Sequence, residues 1–246
     1  MKRRGCIVGL GIVVAMPRHL SAQREPKVLI GFLNSGTPDF IGSYGPAFRS
    51  GLADKGYVAG QNVTIEYRSA AGDYNRLAAL AAELAKLNAS IIVTFGLPAA
   101  LAAKATVTVP VVFATGADPV GTGLVASLSK PGGTLTGVSL LSPAVTTKQI
   151  EVLHELLPRT EGVGIIINPK NRIYEGQLDQ LRAAAQGSNL RLVVAQANTL
   201  QDVEEAYASL SRQQVGTVIV PGDPLLYSRL DQFVALQNRY HLPTVL

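Results

Sequence analysis

From Lys27 onward, runs rich in Val, Ile and Leu alternate almost without a gap with runs whose apolar residues recur every three or four positions. The first kind reads as strands: KVLIGFLN (27–34), NVTIEYR (62–68), SIIVTFG (90–96), VPVVFAT (109–115), TLTGVS (134–139), VGIIIN (163–168), LRLVVA (190–195), GTVIVP (216–221) and PTVL (243–246). The second kind reads as helices, in PAFRSGLADKG, YNRLAALAAELAKL, PAALAAKAT, VTTKQIEVLHELLP, YEGQLDQLRAAAQGS, LQDVEEAYASLSRQ and LLYSRLDQFVALQNRY. Leu77, Leu80, Ala81 and Leu84 make one helical stripe, and Ile150, Leu153 and Leu157 make another. Val and Ile runs without polar alternation suit strands covered on both faces, and an intervening helix returns the chain for a parallel neighbour. The expected fold class is therefore α/β with doubly wound parallel sheets. The uncharged, proline-containing stretch SLLSPAV (139–145) falls between five strands and a second set that restarts with a long helix. It reads as a crossover between an N-terminal lobe, 27–142, and a second lobe, 143–246. With 47% apolar side chains, 246 residues suffice for one large core or two modest ones.

The first 22 residues follow a different logic. MKRR is positively charged, GCIVGLGIVVAM is apolar but short for a bilayer span, and HLSA ends on a small residue. This pattern predicts a signal peptide, 1–22, and export to the periplasm by the Sec or Tat route. It also explains the basic balance. The net charge of +5 includes Lys2, Arg3, Arg4 and Arg18; without them, 18 Lys and Arg face 17 Asp and Glu. A near-neutral remainder gives no basis for nucleic-acid binding. Cys6 is the only cysteine and lies in the leader, so disulfides and thiolate chemistry are not expected in the mature chain. His154 and His241 have no partner at metal-ligand spacing, and no metal or cofactor is expected.

One loop invites a nucleotide reading. TGADPVGTGLVASL (115–128) follows a strand and contains Gly121-x-Gly123-x-x-Ala126, the spacing of a dinucleotide-binding turn. That turn must open a full helix and be followed about 20 residues later by a ribose-binding acid. Here no Asp or Glu occurs from 119 to 150, and Gly123 to Pro131 is too short for a full helix. Enzyme motifs fare no better. Ser127-Leu128-Ser129-Lys130 matches S-x-x-K without the accompanying S-D-N and K-T-G, and Gly137-Val138-Ser139 lacks the second glycine of a nucleophile elbow.

A repeated pattern is more informative. FATGADPVG (113–121) and VIVPGDPLL (218–226) both run strand, glycine, Asp-Pro, apolar helix. Asp before Pro caps a helix start, because the carboxylate accepts free N–H groups and proline has none. The carboxyl ends of parallel strands are also where open α/β sheets bind ligands. Asn34 to Pro38, Gly96-Leu97-Pro98, Asp118-Pro119 and Asn168 to Asn171 occupy equivalent strand ends, so the rims of the two lobes are expected to face each other.

At this point the sequence resembles a known family. GFLNSGTPD, GLADKGYVAGQNVTIEYRSAAGDYNRLAALAAEL, DPVGTGLVASLSKPGGTLTGVS, ELLP and VPGDP, in that order, are similar to ABC transporter substrate-binding proteins of the aromatic-amino-acid type, over residues 27–246. The resemblance implies a type I periplasmic-binding-protein fold. It also implies an extracytoplasmic component of an importer that holds a small-molecule solute between two lobes and delivers it to an ABC permease in the inner membrane. It leads us to expect a return segment after PTVL, so that the second hinge crossing is incomplete at Leu246. An amino acid needs partners for its carboxylate, its ammonium and its side chain. N–H groups near Ser35 to Thr37, Leu97 to Ala99 and Asn171, with the hydroxyls of Thr136 and Ser139, are candidates for the carboxylate. Asp118 or Asp223 would take the ammonium. Phe40, Tyr44, Phe95, Tyr174 and Tyr227 are candidate walls, with Gly96, Pro98 and Asn168 completing the rims. A ligand-sensing module of the same fold and a non-binding remnant are the alternatives.

Overall fold

A computed structural model of the chain describes residues 27–140, 142–174 and 178–246, without the side chains of Phe40, Ser43, Ser142, Pro143, Tyr174, Leu200 and Arg229. The leader reading, with Cys6, lies outside the described residues.

The elements run β1 (Val28–Asn34), α1 (Pro38–Ala53), β2 (Val63–Ser69), α2 (Leu77–Lys86), β3 (Ile91–Phe95), α3 (Leu97–Thr106), β4 (Val111–Thr115) and β5 (Leu135–Ser139). After these come α4 (Ser142–Leu156), β6 (Gly162–Ile167), α5 (Leu178–Gly187), β7 (Arg191–Gln196), α6 (Leu200–Arg212), β8 (Thr217–Ile219), α7 (Leu230–Tyr240) and β9 (Thr244–Val245). Three short 3₁₀ turns, Tyr74–Arg76, Arg172–Tyr174 and Leu226–Arg229, precede α2, α5 and α7.

Two parallel sheets result, β2-β1-β3-β4-β5 and β7-β6-β8-β9, so the α/β class read from the alternation is the observed one. In each sheet the chain steps from the first strand to one side and then crosses to the other, leaving a crevice beside β1 and β6 at the carboxyl ends. The unalternating runs lie where burial on both faces was expected: every residue of β6 is buried. The α2 stripe is buried as Leu77, Leu80, Ala81 and Leu84.

Both sheets bring a helix unusually close at the centre. A Cβ on Gly31 of β1 would lie 3.1 Å from the side chain of Leu84, and one on Gly164 of β6 would lie 2.9 Å from that of Leu210. A missing side chain in the middle strand thus admits a leucine of α2 in one lobe and of α6 in the other. β5 is the edge of its sheet and is largely exposed, Val138 included, as is Leu140 just after it.

Two local readings require correction. α1 begins at Pro38, eight residues before the proline taken as its start, because a proline at the first helical position has no N–H to leave unsatisfied. No helix follows Asp118-Pro119. Thr122 N–H bonds back to the Asp118 carbonyl, and Gly123 adopts φ +71°, so the turn closes on itself. The Lys104 ammonium caps the Gly123 carbonyl and fastens that loop to α3.

Candidate functional site

The carboxyl-terminal rims of the two sheets face each other across a cavity of about 120 Å³. From the first sheet, β3 leads into Phe95, Gly96 and Leu97, β4 into Thr115 and Gly116, and β5 into Leu140, while Tyr44 projects from α1. The loops after β6 and β8 contribute Asn171, Ile173, Gly222, Asp223, Pro224 and Tyr227. The Tyr44 and Phe95 rings stack with centroids 5.9 Å apart and planes 30° apart, and Tyr227 borders the same cavity. The wall is thus mainly apolar and aromatic.

Asp223 is the charged group of this wall. It is 4% exposed, and four donors hold its carboxylate. Oδ1 accepts from the N–H groups of Leu225 at 2.9 Å and Leu226 at 3.1 Å; Oδ2 accepts from Asn171 Nδ2 at 2.8 Å and the Tyr74 hydroxyl at 3.2 Å. No Lys or Arg is among the cavity's lining residues. Burial pushes the Asp223 pKa up, against the lowering effect of these hydrogen bonds. Burial, and then the Asp223 charge beside it, likewise raises that of Tyr74. A buried carboxylate without a cation is costly, and a cationic group entering the cavity would relieve that cost.

Tyr74 ties the two lobes together. It stands between β2 and α2, yet its hydroxyl donates to Asp223 and accepts from Asn168 Nδ2 at 3.1 Å, both in the second lobe. Asn171 is fixed in turn by its Oδ1, which accepts from Ile173 N–H at 3.3 Å.

The start of α3, on the first-lobe side of the cavity, has donor character. Leu97 is the first residue of α3, and helix-start N–H groups lack partners on the helix itself. Gly96 provides no capping side chain. Ser35, fully buried in the loop after β1, does so instead: its Oγ accepts from Ala99 N–H at 3.0 Å and donates to the Phe95 carbonyl at 3.2 Å. Among the described residues, Leu97 N–H has no hydrogen-bond acceptor.

Of the residues expected at the site, Tyr44, Phe95, Gly96, Leu97, Asn171, Asp223 and Tyr227 meet at the cavity, and Ser35 packs beside it, capping α3. Thr37 lines a separate, more polar groove with Asn198 and Thr199, and Pro98 lines another with Tyr74 and Leu101. Asn168 does not line the cavity; its side chain reaches Tyr74, and its carbonyl accepts from Asn171 N–H at 3.0 Å. Asp118 is spent on its own loop, its Oδ1 accepting from Val120 N–H at 2.9 Å. Thr136 is exposed on the edge strand, and the Ser139 hydroxyl donates to the Ala117 carbonyl at 2.6 Å. The side chains of Phe40 and Tyr174 lie outside those described. Sequence reasoning missed Tyr74, Thr115, Gly116, Leu140, Ile173, Gly222 and Pro224. Tyr74 had no local signal, since it reads as the first residue of a helical run. Gly222 and Pro224 flank an aspartate already singled out, so the turn itself was a signal. Among the described residues, no group of three or more His, Cys, Asp or Glu is placed to hold a metal ion.

Comparison with known proteins agrees with this architecture. The model of the family described as ABC transporter substrate binding protein matches residues 44–245. A tyrosine-binding protein of Clostridioides difficile is 30% identical over 200 residues, covering 80% of this chain; the chain spans 57% of the length of that relative. A conserved domain protein of Vibrio cholerae superposes with a TM-score of 0.79 at 25% identity, over 89% of this chain and 73% of the other. An ABC domain from Streptococcus pneumonia in complex with L-Trp gives 0.76 at 24% identity, over the same shares of 89% and 73%.

Proposed function

The chain belongs to the ABC transporter substrate-binding protein family, and from that premise we propose that it is the extracytoplasmic solute-binding component of an ABC importer, holding an aromatic amino acid between its lobes. The observation that carries this reading is the buried carboxylate of Asp223, without a cation among the lining residues, in an aromatic cavity that is also lined by the first residue of a helix, Leu97. An α-amino acid supplies the complementary pattern. Its ammonium lies against Asp223, gaining from the charge even though four protein donors already occupy the carboxylate. Its carboxylate meets Leu97 N–H at the start of α3. Its ring packs among Tyr44, Phe95 and Tyr227. The binding of tyrosine by the Clostridioides difficile relative and the L-Trp complex of the streptococcal neighbour support the same ligand class.

In this reading the lobes are 27–142 and 143–246, and the leader 1–22 directs export to the periplasm. The partner is a permease in the inner membrane that accepts the closed, loaded form. The site binds and releases its ligand unchanged, and no side chain is assigned a catalytic role.

Calorimetry tests the pattern directly. L-tyrosine and L-tryptophan are titrated beside tyramine, which lacks the carboxylate, and 3-(4-hydroxyphenyl)propionate, which lacks the ammonium. Heat is expected with the amino acids alone. Binding of the ammonium-free acid as tightly as the amino acid would remove Asp223 from the site, and silence from every amino acid would remove the reading.

A further inference from the structure

The turn that carries Asp223 is gripped by the opposite lobe. Its next two residues, Pro224 and Leu225, press against glycines of three first-lobe loops. A Cβ on Gly36, after β1, would lie 2.4 Å from the Pro224 carbonyl oxygen and 2.9 Å from its carbon. One on Gly96, after β3, would lie 2.6 Å from Pro224 Cγ, and one on Gly72, after β2, 2.7 Å from Leu225 Cδ1. Glycine at these three places admits the turn at van der Waals distance, against its backbone at Gly36 and against its side chains at Gly96 and Gly72. Leu225 and Pro224 are buried by the fit. Tyr74 closes the ring with its hydrogen bonds to Asp223 and Asn168.

We infer that Gly36, Gly72 and Tyr74 form a closure latch: a first-lobe socket that receives the Asp223–Pro224–Leu225 turn and thereby sets how tightly the solute is held, without touching it. Gly36 and Gly72 are absent from the lining of the Asp223 cavity, and so is Tyr74. The same carboxylate that faces the cavity is held by the Tyr74 hydroxyl from across the cleft, so opening the lobes removes one of its four donors. The dissociation constant measured for a solute is the intrinsic one divided by the closed fraction, which makes the socket a determinant of affinity. This extends the solute-binding reading of the Asp223 cavity, but the latch itself requires no ligand.

Gly36→Ala isolates the effect. Each of the three nearest atoms to its added Cβ belongs to Pro224, and its φ is not in the left-handed region, so the methyl clashes only when the lobes are shut. Its hydrogen bonds within the first lobe, from Gly36 N–H to Asn34 Oδ1 and from Ser69 Oγ and Ala71 N–H to its carbonyl, use backbone atoms that alanine keeps. The full chain carrying Gly36→Ala, Tyr74→Phe or the control Gly51→Ala, whose Cβ meets nothing within 4 Å, is compared with the wild type. Small-angle scattering gives the radius of gyration, far-ultraviolet circular dichroism gives the fold, and calorimetry with L-tyrosine and L-tryptophan gives affinity.

Gly36→Ala is expected to keep its circular dichroism, enlarge the radius of gyration of the free protein and weaken binding about tenfold or more. Tyr74→Phe, which keeps the ring, should weaken it about fivefold. Gly51→Ala should change neither. A Gly36→Ala protein with wild-type compactness overturns the latch whatever the ligand. If that variant instead loses its folded spectrum, unchanged affinity and compactness in Tyr74→Phe overturn it. A more open Gly36→Ala protein together with a wild type that binds no amino acid supports the latch and rejects the ligand reading.

Discussion

The two Asp-Pro turns begin as the same object. Each follows the end of a parallel strand, and each aspartate accepts the N–H of the residue two further on at 2.9 Å, Val120 for Asp118 and Leu225 for Asp223. They diverge in what meets the second oxygen. Asp118 Oδ2 lies where a Cβ on Gly121, in its own loop, would be 2.8 Å away, whereas Asp223 Oδ2 takes Asn171 and, from the other lobe, Tyr74. One carboxylate is therefore a local staple and the other a buried charge facing a cavity. Local sequence specifies the turn; the partners across the cleft specify its use.

The largest test of that contrast is removal. Asp223→Ala is expected to weaken L-tyrosine or L-tryptophan binding by more than about 100-fold, in line with the loss of one member of a buried charge pair. Asp118→Ala should leave affinity within about twofold, and calorimetry on the two variants decides between equal and unequal roles.

Acidity provides the next test of the Asp223 turn. Burial raises the Asp223 pKa above its ordinary 3.8, so the folded chain holds that proton more firmly than the unfolded one. Stability of the free protein contributed by this group is thus present at low pH and lost as pH rises through the raised pKa. Affinity for an ammonium runs the other way, falling as pH drops through it. Asp223→Asn should flatten both profiles relative to the wild type at pH values above the ordinary 3.8, measured by calorimetry and thermal unfolding.

Nine strand runs and the interlobe division of rims were readable because each rests on a short window: uninterrupted Val and Ile, a helical stripe such as Leu77 to Leu84, a turn residue between them. Half of the candidate site was readable for the same reason, since Asp223, Asn171 and Leu97 each sit at a strand end. Thr136 and Ser139 also sit at a strand end or beside one, but β5 is an edge strand, and its position in the sheet is a matter of long-range pairing. The role of Ser35 depends on α3 lying beside it, and that of Tyr74 on two residues more than 90 positions away, with separations of 94 and 149. No window of neighbouring residues contains that information.

Smaller effects sharpen the comparison further. Asn171→Ala leaves Asp223 Oδ2 short of a donor and should lower unfolding free energy by about 1–3 kcal/mol, seen by chemical denaturation. Asp118→Ala loses only the local turn bond and should cost about 1 kcal/mol or less in the same assay. Equal losses for the two would mean that the turns are alike after all.

Gly31 and Gly164 occupy matching places in the two lobes, each accepting a leucine from the covering helix. Enlarging either side chain lifts a helix off its own sheet, so the damage falls on yield of folded material before any question of solute arises. A library screened once for soluble expression and once for solute capture would therefore sort the glycines into two kinds: those that set the thickness of a lobe, and those, Gly36 foremost, whose replacement passes the first screen and fails the second.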